Sequence, residues 1–437
     1  MIKALYKISL TVFGLLSAVQ AQDLKEVSRA EVLDQALEQN QSIKISIEAF
    51  NEAKGDYKQS NAVFLPNISV SHTGFATTNP LMAFGSKLNQ EILTQADFNP
   101  DLLNNPDQTQ NFATIFEFQQ PLINMDGFHQ RKAAKNKMEA MALQTERVKD
   151  YLAFEVDKAY MQLQLAYKGV EVLEKALQAA EANYQLADNS FKQGLLQRAD
   201  LLQVEVRVSE VKNQLRSARS NVKNASNYLS FLMHDETGAI LKPVDHLQPN
   251  VSYMQEDAMV PEERADIKAM ALATEAQKSM YKSEKTTFLP TLNAFGSYQM
   301  FDNNLFQFGA NGYIIGAELK WDILKGTSRF GKSQKSRATY EKSKLEYEQY
   351  VSKSKLELNQ TNRLLSDAEH KLELTALALR QSEEALRIRT NRFKEGLEKT
   401  TDVLMAETQY AQKQLEYFQT VYDYNSTKAY LNYLTTL

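Results

Sequence analysis

The segment FLPNISVSHTG, residues 64–74, is nearly repeated at residues 288–299 as FLPTLNAFGSYQ, an offset of 224. The match runs backward in step, so that NQSIKISIEA from Asn40 falls on RADIKAMALA from Arg264. Further on, FKQGLLQRADLLQVE (Phe191 to Glu205) reads against FKEGLEKTTDVLMAE (Phe393 to Glu407) at an offset of 202. Self-similarity at fixed offsets marks a chain that is one unit written twice. The repeats occupy 22–250 and 251–437, and the function must use both.

All nine prolines fall between 66 and 121 or between 243 and 290, leaving 128–242 and 291–437 free of them. Proline breaks helix interiors, so its absence shows where long helices can run. There the apolar residues step by four and three, from Leu152 through Val156, Ala159, Leu163, Ala166, Val170 and Leu173 on to Phe191. In the second copy Val351, Leu358, Leu365, Leu372, Leu379, Leu386 and Phe393 come every seven residues. Such heptads predict helices packed in coiled-coil fashion. A helix over 128–190 would be roughly 95 Å long at ~1.5 Å per residue, more than a compact domain needs. The FKQG and FKEG turns then reverse the chain, giving hairpins over 128–235 and 327–434. A shorter helical stretch is expected over 28–63.

Between the helices the period changes to two. In FATIFEFQQ, Phe112, Thr114, Phe116 and Phe118 share a face; in YIIGAELKW, Tyr313, Ile315, Ala317, Leu319 and Trp321 oppose Ile314, Gly316, Glu318 and Lys320. Strands are expected at 64–75 and 112–121 around a polar, irregular loop (76–111), and at 288–301 and 312–323 around a much shorter one. Four strands of about ten residues, apolar on one side and mixed on the other, are the signature of an outer-membrane barrel. The longer loop is expected outside the cell and the long helices in the periplasm. Four strands cannot close a barrel, and open edges are not tolerated in lipid, so copies must assemble.

Composition narrows the function classes. Fifty basic and 54 acidic residues, spread throughout for a net charge of −4, argue against a nucleic-acid partner. Lys3 and Lys7, the apolar run ISLTVFGLLSAV and a small-residue end have the layout of a signal peptide (1–21) cleaved after Ala21. With no cysteine there is no disulfide, thiolate metal site or lipidated cysteine. GTSRFGKS, Gly326 to Ser333, fits the phosphate-binding pattern G-x-x-x-x-G-K-[ST]. Its preceding strand carries Glu318, Lys320 and Asp322 on one face, unlike the buried apolar strand such a loop follows. A strand-to-helix elbow is the better reading. The five histidines lack metal-ligand spacing, and no Ser/His/Asp set can be assembled. No catalytic residue, metal or cofactor is therefore assigned. Trp321 and Tyr313, at the ends of their strand, read as membrane-interface anchors.

Two FLP strand starts, two glycine-containing turns and a signal peptide together resemble the TolC family of outer-membrane efflux proteins. The most specific segments are R-x-D-I-K with FLP downstream (Arg264 to Pro290), W-D-I-L-K-G (Trp321 to Gly326) and F-K-E-G-x-x-x-T-x-D-V-L (Phe393 to Leu404). The resemblance implies an α+β membrane protein: a homotrimer with a twelve-stranded outer-membrane barrel and a periplasmic helical tunnel. It implies a passive exit duct for an inner-membrane pump, reached through a periplasmic adaptor. The adaptor would meet the tips at Phe191, Gly194, Leu195, Phe393, Gly396 and Leu397. It further implies a periplasmic gate at Asp402, with Asp200 as its counterpart. The family's tyrosine and arginine latch is replaced here by Phe393 and Glu398, so Arg198 is expected to pair with Glu398 instead. A periplasmic coiled-coil adaptor or spacer without a pore is the alternative reading.

Overall fold

The structure is a computed structural model that describes residues 24–250 and 259–436. The expected signal peptide (1–21) and the expected start of the second repeat at 251 lie outside the described residues. The described residues form two compact units, one of 24–41, 150–250 and 359–434, the other of 42–149, 259–358 and 435–436.

The second of these units holds the strands β2 (Asn67–Thr77), β3 (Thr109–Ile123), β5 (Thr291–Asp302) and β6 (Ala310–Lys320). They form one antiparallel sheet in the order β2-β3-β5-β6. Neither strand begins at FLP: β2 and β5 start one residue after Pro66 and Pro290, because proline has no N–H to give to a ladder. β3 starts at Thr109 and runs past a register shift at Pro121, so it is longer than the pattern predicted, and β6 stops short of 323. Residues paired directly across an antiparallel ladder share a face. The register puts Ile68 beside Phe118, Val70 beside Phe116, Phe116 beside Tyr298, Tyr298 beside Tyr313, and Leu292 beside Leu319. The other face is mixed and mostly polar, carrying Ser69, Ser71, Glu117, Ser297, Gln299, Asn293 and Glu318 together with Ile115, Phe295 and Ile314. One side of the sheet is therefore suited to lipid and the other to water, while β2 and β6 keep unpaired outer edges among the described residues.

The β2–β3 loop is not irregular. It folds as α3 (Pro80–Asn89) and a short α4 (Pro100–Asn104), started by Asn79 and Asn99 caps with proline in the first turn. Lys87 Nζ meets Asp97 at 2.8 Å, and Phe84 packs edge-on against Phe98. Gln90 Nε2 donates to the Gln110 carbonyl and to Asn111 Oδ1, both at 2.8 Å. The β5–β6 loop goes to the opposite face: Phe306 stacks on His72 at 4.6 Å, and His72 Nδ1 lies 2.7 Å from Thr114 Oγ1.

The same unit explains the R-x-D-I-K motif. Arg264 precedes α7 (Ala265–Thr286), is almost wholly buried, and donates through Nε to Asp266 at 2.7 Å and through Nη2 to Ser354 Oγ at 2.9 Å. Tyr350 OH also donates to Asp266, at 2.6 Å, and Arg147 Nε lies 3.5 Å away. Burial pushes the Asp266 carboxyl up, but its bonds from Arg264 and Tyr350 and the Arg147 charge hold it below the ordinary value. α7 is thereby fixed to the long helices α5 (Met125–Lys192) and α8 (Ser328–Lys394).

The first unit contains the hairpins that α5 and α8 make with α6 (Arg198–Met233) and α9 (Thr400–Thr435). In the first hairpin the predicted stripe is the seam: Leu152, Val156, Ala159, Leu163, Leu173, Ala180 and Ala187 are buried, opposite Val204, Val211, Leu215, Ala218, Val222 and Leu229, whereas of the second copy's heptad only Leu358 is buried and the rest are half-buried. The stretch expected as one helix over 28–63 is two, α1 (Arg29–Gln39) and α2 (Gln41–Gln59), because Asn40 turns out of the helix at ψ 132°. Its Nδ2 donates to the Leu232 carbonyl at 2.8 Å, so the break is specified by a buried bond. A parallel pair missed by the pattern, β1 (Leu24–Val27) and β4 (Ile240–Pro243), completes the unit. Tyr160 OH donates to the Val27 carbonyl and Tyr167 OH to the Leu241 carbonyl, each at 3.1 Å.

Candidate functional site at the helical tips

Both hairpins turn through the same backbone motif. Gly194 has φ +76°, and beside it the Leu195 N–H donates to the Ser190 carbonyl (2.9 Å) and the Gly194 N–H to the Phe191 carbonyl (2.9 Å). Gly396 has φ +74°, with Leu397 N–H to Arg392 (2.9 Å) and Gly396 N–H to Phe393 (3.0 Å). These are the two bonds of a left-handed helix cap, which satisfy carbonyls that the helix end leaves free. A Cβ at either glycine would meet nothing within 4 Å. Glycine is required for its backbone angle, not for space.

The residue after each glycine points out: Leu195 is 76% exposed and Leu397 66%. In such caps this side chain more often packs back on the helix. Phe191 instead packs inward, with Tyr184, Leu196 and Leu404 around Ala187, Leu201 and Val204. Of the six tip residues, the two leucines form the accessible apolar surface and the two glycines set its geometry.

Asp200 and Asp402 occupy equivalent places in the first turns of α6 and α9, where the positive helix end favours a carboxylate. Among the described residues neither carboxylate makes a hydrogen bond or ion pair, so neither acts as a cap.

The expected pairing of Arg198 with Glu398 is not made within the chain. Glu398 accepts from Arg389 Nη1 and Arg392 Nε, both at 2.8 Å, and only 13% of its side chain is exposed. Both arginines sit in the last turns of α8, so the reversal at Gly396 brings Glu398 back onto them. Arg198 lies over the Phe191 ring at 5.8 Å. Sequence reasoning also passed over Glu407, which accepts from Asn183 Nδ2 of α5 at 3.0 Å; burial raises its carboxyl above the ordinary value. Its signal was present in the repeat, where Glu205 and Glu407 align.

At the sheet, Trp321 is exposed and its Nε1 donates to the Phe288 carbonyl at 3.0 Å. Tyr313 is exposed on the apolar face. Eight residue steps separate them, about 26 Å along the chain at ~3.3 Å each. The phosphate-loop lookalike is an elbow: Gly326 turns at φ +60°, α8 starts at Ser328, and the Gly331 N–H already donates to the Thr327 carbonyl. Among the described residues no group of three or more His, Cys, Asp or Glu could hold a metal, and no helix is long and apolar enough to cross a membrane.

Comparison with known proteins agrees with this architecture. A search of curated protein sequences gave no match. Among solved structures, the fold resembles a membrane protein from Pseudomonas aeruginosa (TM-score 0.81, 16% identity, 93% of each chain covered). It also resembles the outer membrane protein VceC from Vibrio cholerae (TM-score 0.79, 18% identity, 93% of this chain and 95% of that one). The Campylobacter jejuni CmeC outer membrane channel matches at a TM-score of 0.78 and 16% identity, over 93% of this chain and 85% of that one. The family model "Outer membrane efflux protein" matches residues 32–233 and 259–435, so the chain belongs to that family.

Proposed function

We propose that three copies of this chain form a passive exit duct from the periplasm to the cell exterior. The observation that carries this reading is the four-stranded sheet, apolar on one face, polar on the other, and unpaired at β2 and β6. In lipid each unpaired strand group costs several kcal/mol, which only closure removes. Pairing β6 of one copy with β2 of the next closes a twelve-stranded barrel with its polar face inward. The paired hairpins of three copies likewise supply twelve helices for a tunnel in the periplasm.

The duct is passive in this reading, and the driving energy comes from an inner-membrane pump. A periplasmic adaptor docks on the tips, where Leu195 and Leu397 give it apolar purchase and the glycine caps fix their position. Asp402 from three copies, with Asp200 nearby, rings the periplasmic mouth. Carboxylates gathered in a narrow opening favour cations. The cargo is delivered by the pump.

Purified protein is expected to run as a heat-sensitive trimer and to conduct ions across a planar bilayer, with Asp402→Asn lowering cation selectivity. A monomer without conductance in mild detergent, or one found outside the outer-membrane fraction, favours the coiled-coil spacer instead.

A further inference from the structure

The duct reading leaves one feature unused. Among the described residues, the β2–β3 loop leaves large apolar side chains open: Leu81 is 82% exposed, and Met82 and Leu88 are about half exposed. The side of α3 away from Leu81 and Leu88 is buried through Ala83 and Ser86. The buried side rests on the sheet's polar face. Asn111, which Gln90 grips, pairs with Phe75, and Ala113 pairs with Thr73; both lie on the face of Ser69 and Ser71, and both are buried. α3 therefore folds across the water-facing side of the strands, not outward from their ends.

Resting on the proposed barrel, we infer that α3 is a lid. In a closed barrel the polar face is the inner wall, and whatever lies on it faces the same element of the other two copies. Twelve strands ~4.8 Å apart and tilted about 40° enclose a bore of roughly 12 Å radius, measured to the backbone. A helix packed on that wall is itself about 10 Å across with its side chains. One α3 per copy therefore fills the radius, and Leu81 and Leu88, seven residues apart on one face, meet their counterparts near the axis. A contiguous apolar cluster exposed to a water-filled mouth would be costly, whereas threefold contact buries it. The occupant of this surface is a second copy of α3, and the outer mouth is closed until cargo pushes the helices apart.

The absence of native cysteine makes the test direct. Leu81→Cys should give a disulfide-linked dimer on mild oxidation of the membrane-embedded trimer, seen after full denaturation without reductant. Oxidation should also lower single-channel conductance, and reduction should restore it. Tyr313→Cys, on the lipid-suited face, should not cross-link. In a second variant residues 80–106 are replaced by a short Gly/Ser linker, and conductance should rise severalfold. A conducting trimer with no Leu81→Cys dimer and unchanged conductance in the linker variant overturns the lid and leaves the duct standing. Loss of trimer and pore even in the native sequence overturns the duct and the lid with it.

Discussion

The two tips share a backbone and differ in what braces it. Both turn at a left-handed glycine with the same pair of cap bonds. In the first, Ala187 is buried and Leu196 packs against its cluster. At the equivalent places in the second, offset by 202, stand Arg389 and Glu398, joined at 2.8 Å. An apolar contact and an ion pair thus do the same mechanical job. The strand loops, made by the same duplication, have diverged completely: one folds as helices over the polar face, the other lays Phe306 over His72 on the apolar face. Duplication is retained where a single backbone angle has few solutions, and lost where any complementary pair will serve.

The sharpest way to break the equivalence is at the glycines. Gly194→Val and Gly396→Val each place a β-branched residue at positive φ, which costs ~1–2 kcal/mol or more per site. Because both caps are built alike, each single variant should impair export in a susceptibility assay, and the double variant should abolish it with trimer and membrane insertion intact. Asn at either site should retain most activity, since it tolerates the left-handed region. Normal export from the double valine variant would remove the tips from the docking assignment.

A smaller effect tests whether the braces are interchangeable. Arg389→Ala with Glu398→Leu writes the first tip's chemistry into the second. Replacing a partly buried ion pair by apolar groups is often neutral, whereas removing one partner is not. The double variant should therefore keep its thermal stability, and that stability should depend less on ionic strength than the parent's. Glu398→Leu alone, which leaves two arginines facing an apolar side chain, should be less stable than either the parent or the double variant. Equal stability of all three would show that the pair braces nothing.

Much of this architecture was legible in the sequence, for definite reasons. Heptad spacing from Leu152 to Phe191 located the seam because every seam position obeys one period. Glycine in FKQG and FKEG located the tips because so few residues adopt positive φ. What could not be read were contacts outside any period, whether between residues far apart in sequence or across a turn. The Asn40 break depends on a carbonyl 192 residues away. The partner of Glu398 depended on which arginine the turn brings near, and Arg389 and Arg392 outcompete Arg198 by geometry alone. The loop at 76–111 looked irregular because α3 is short, and its burial comes from Asn111 and Ala113 of a strand, not from its own pattern.

The smallest expected effect lies at Glu407, where the repeats differ in a single neighbour. Asn183 donates to it, whereas the residue aligned with Asn183 in the second long helix is Ala385. Burial between α5 and α9 raises the Glu407 carboxyl above its ordinary 4.5, so between that value and the folded one the native state binds the extra proton. Stability must then fall as pH rises through the folded value, because the native state retains a proton that the unfolded chain has released. Glu407→Gln keeps an acceptor for Asn183 and carries no charge, so its apparent Tm should exceed the parent's slightly at pH 7. The difference should shrink as pH falls and vanish below 4.5, where both states of the parent are protonated. Glu205→Gln, which has no aligned asparagine to lose, should leave the apparent Tm unchanged. A Glu407→Gln protein less stable than the parent at pH 7 would mean that the carboxylate's attraction to Arg207 outweighs its burial, and that the second tip is held by charge at both ends of its interface.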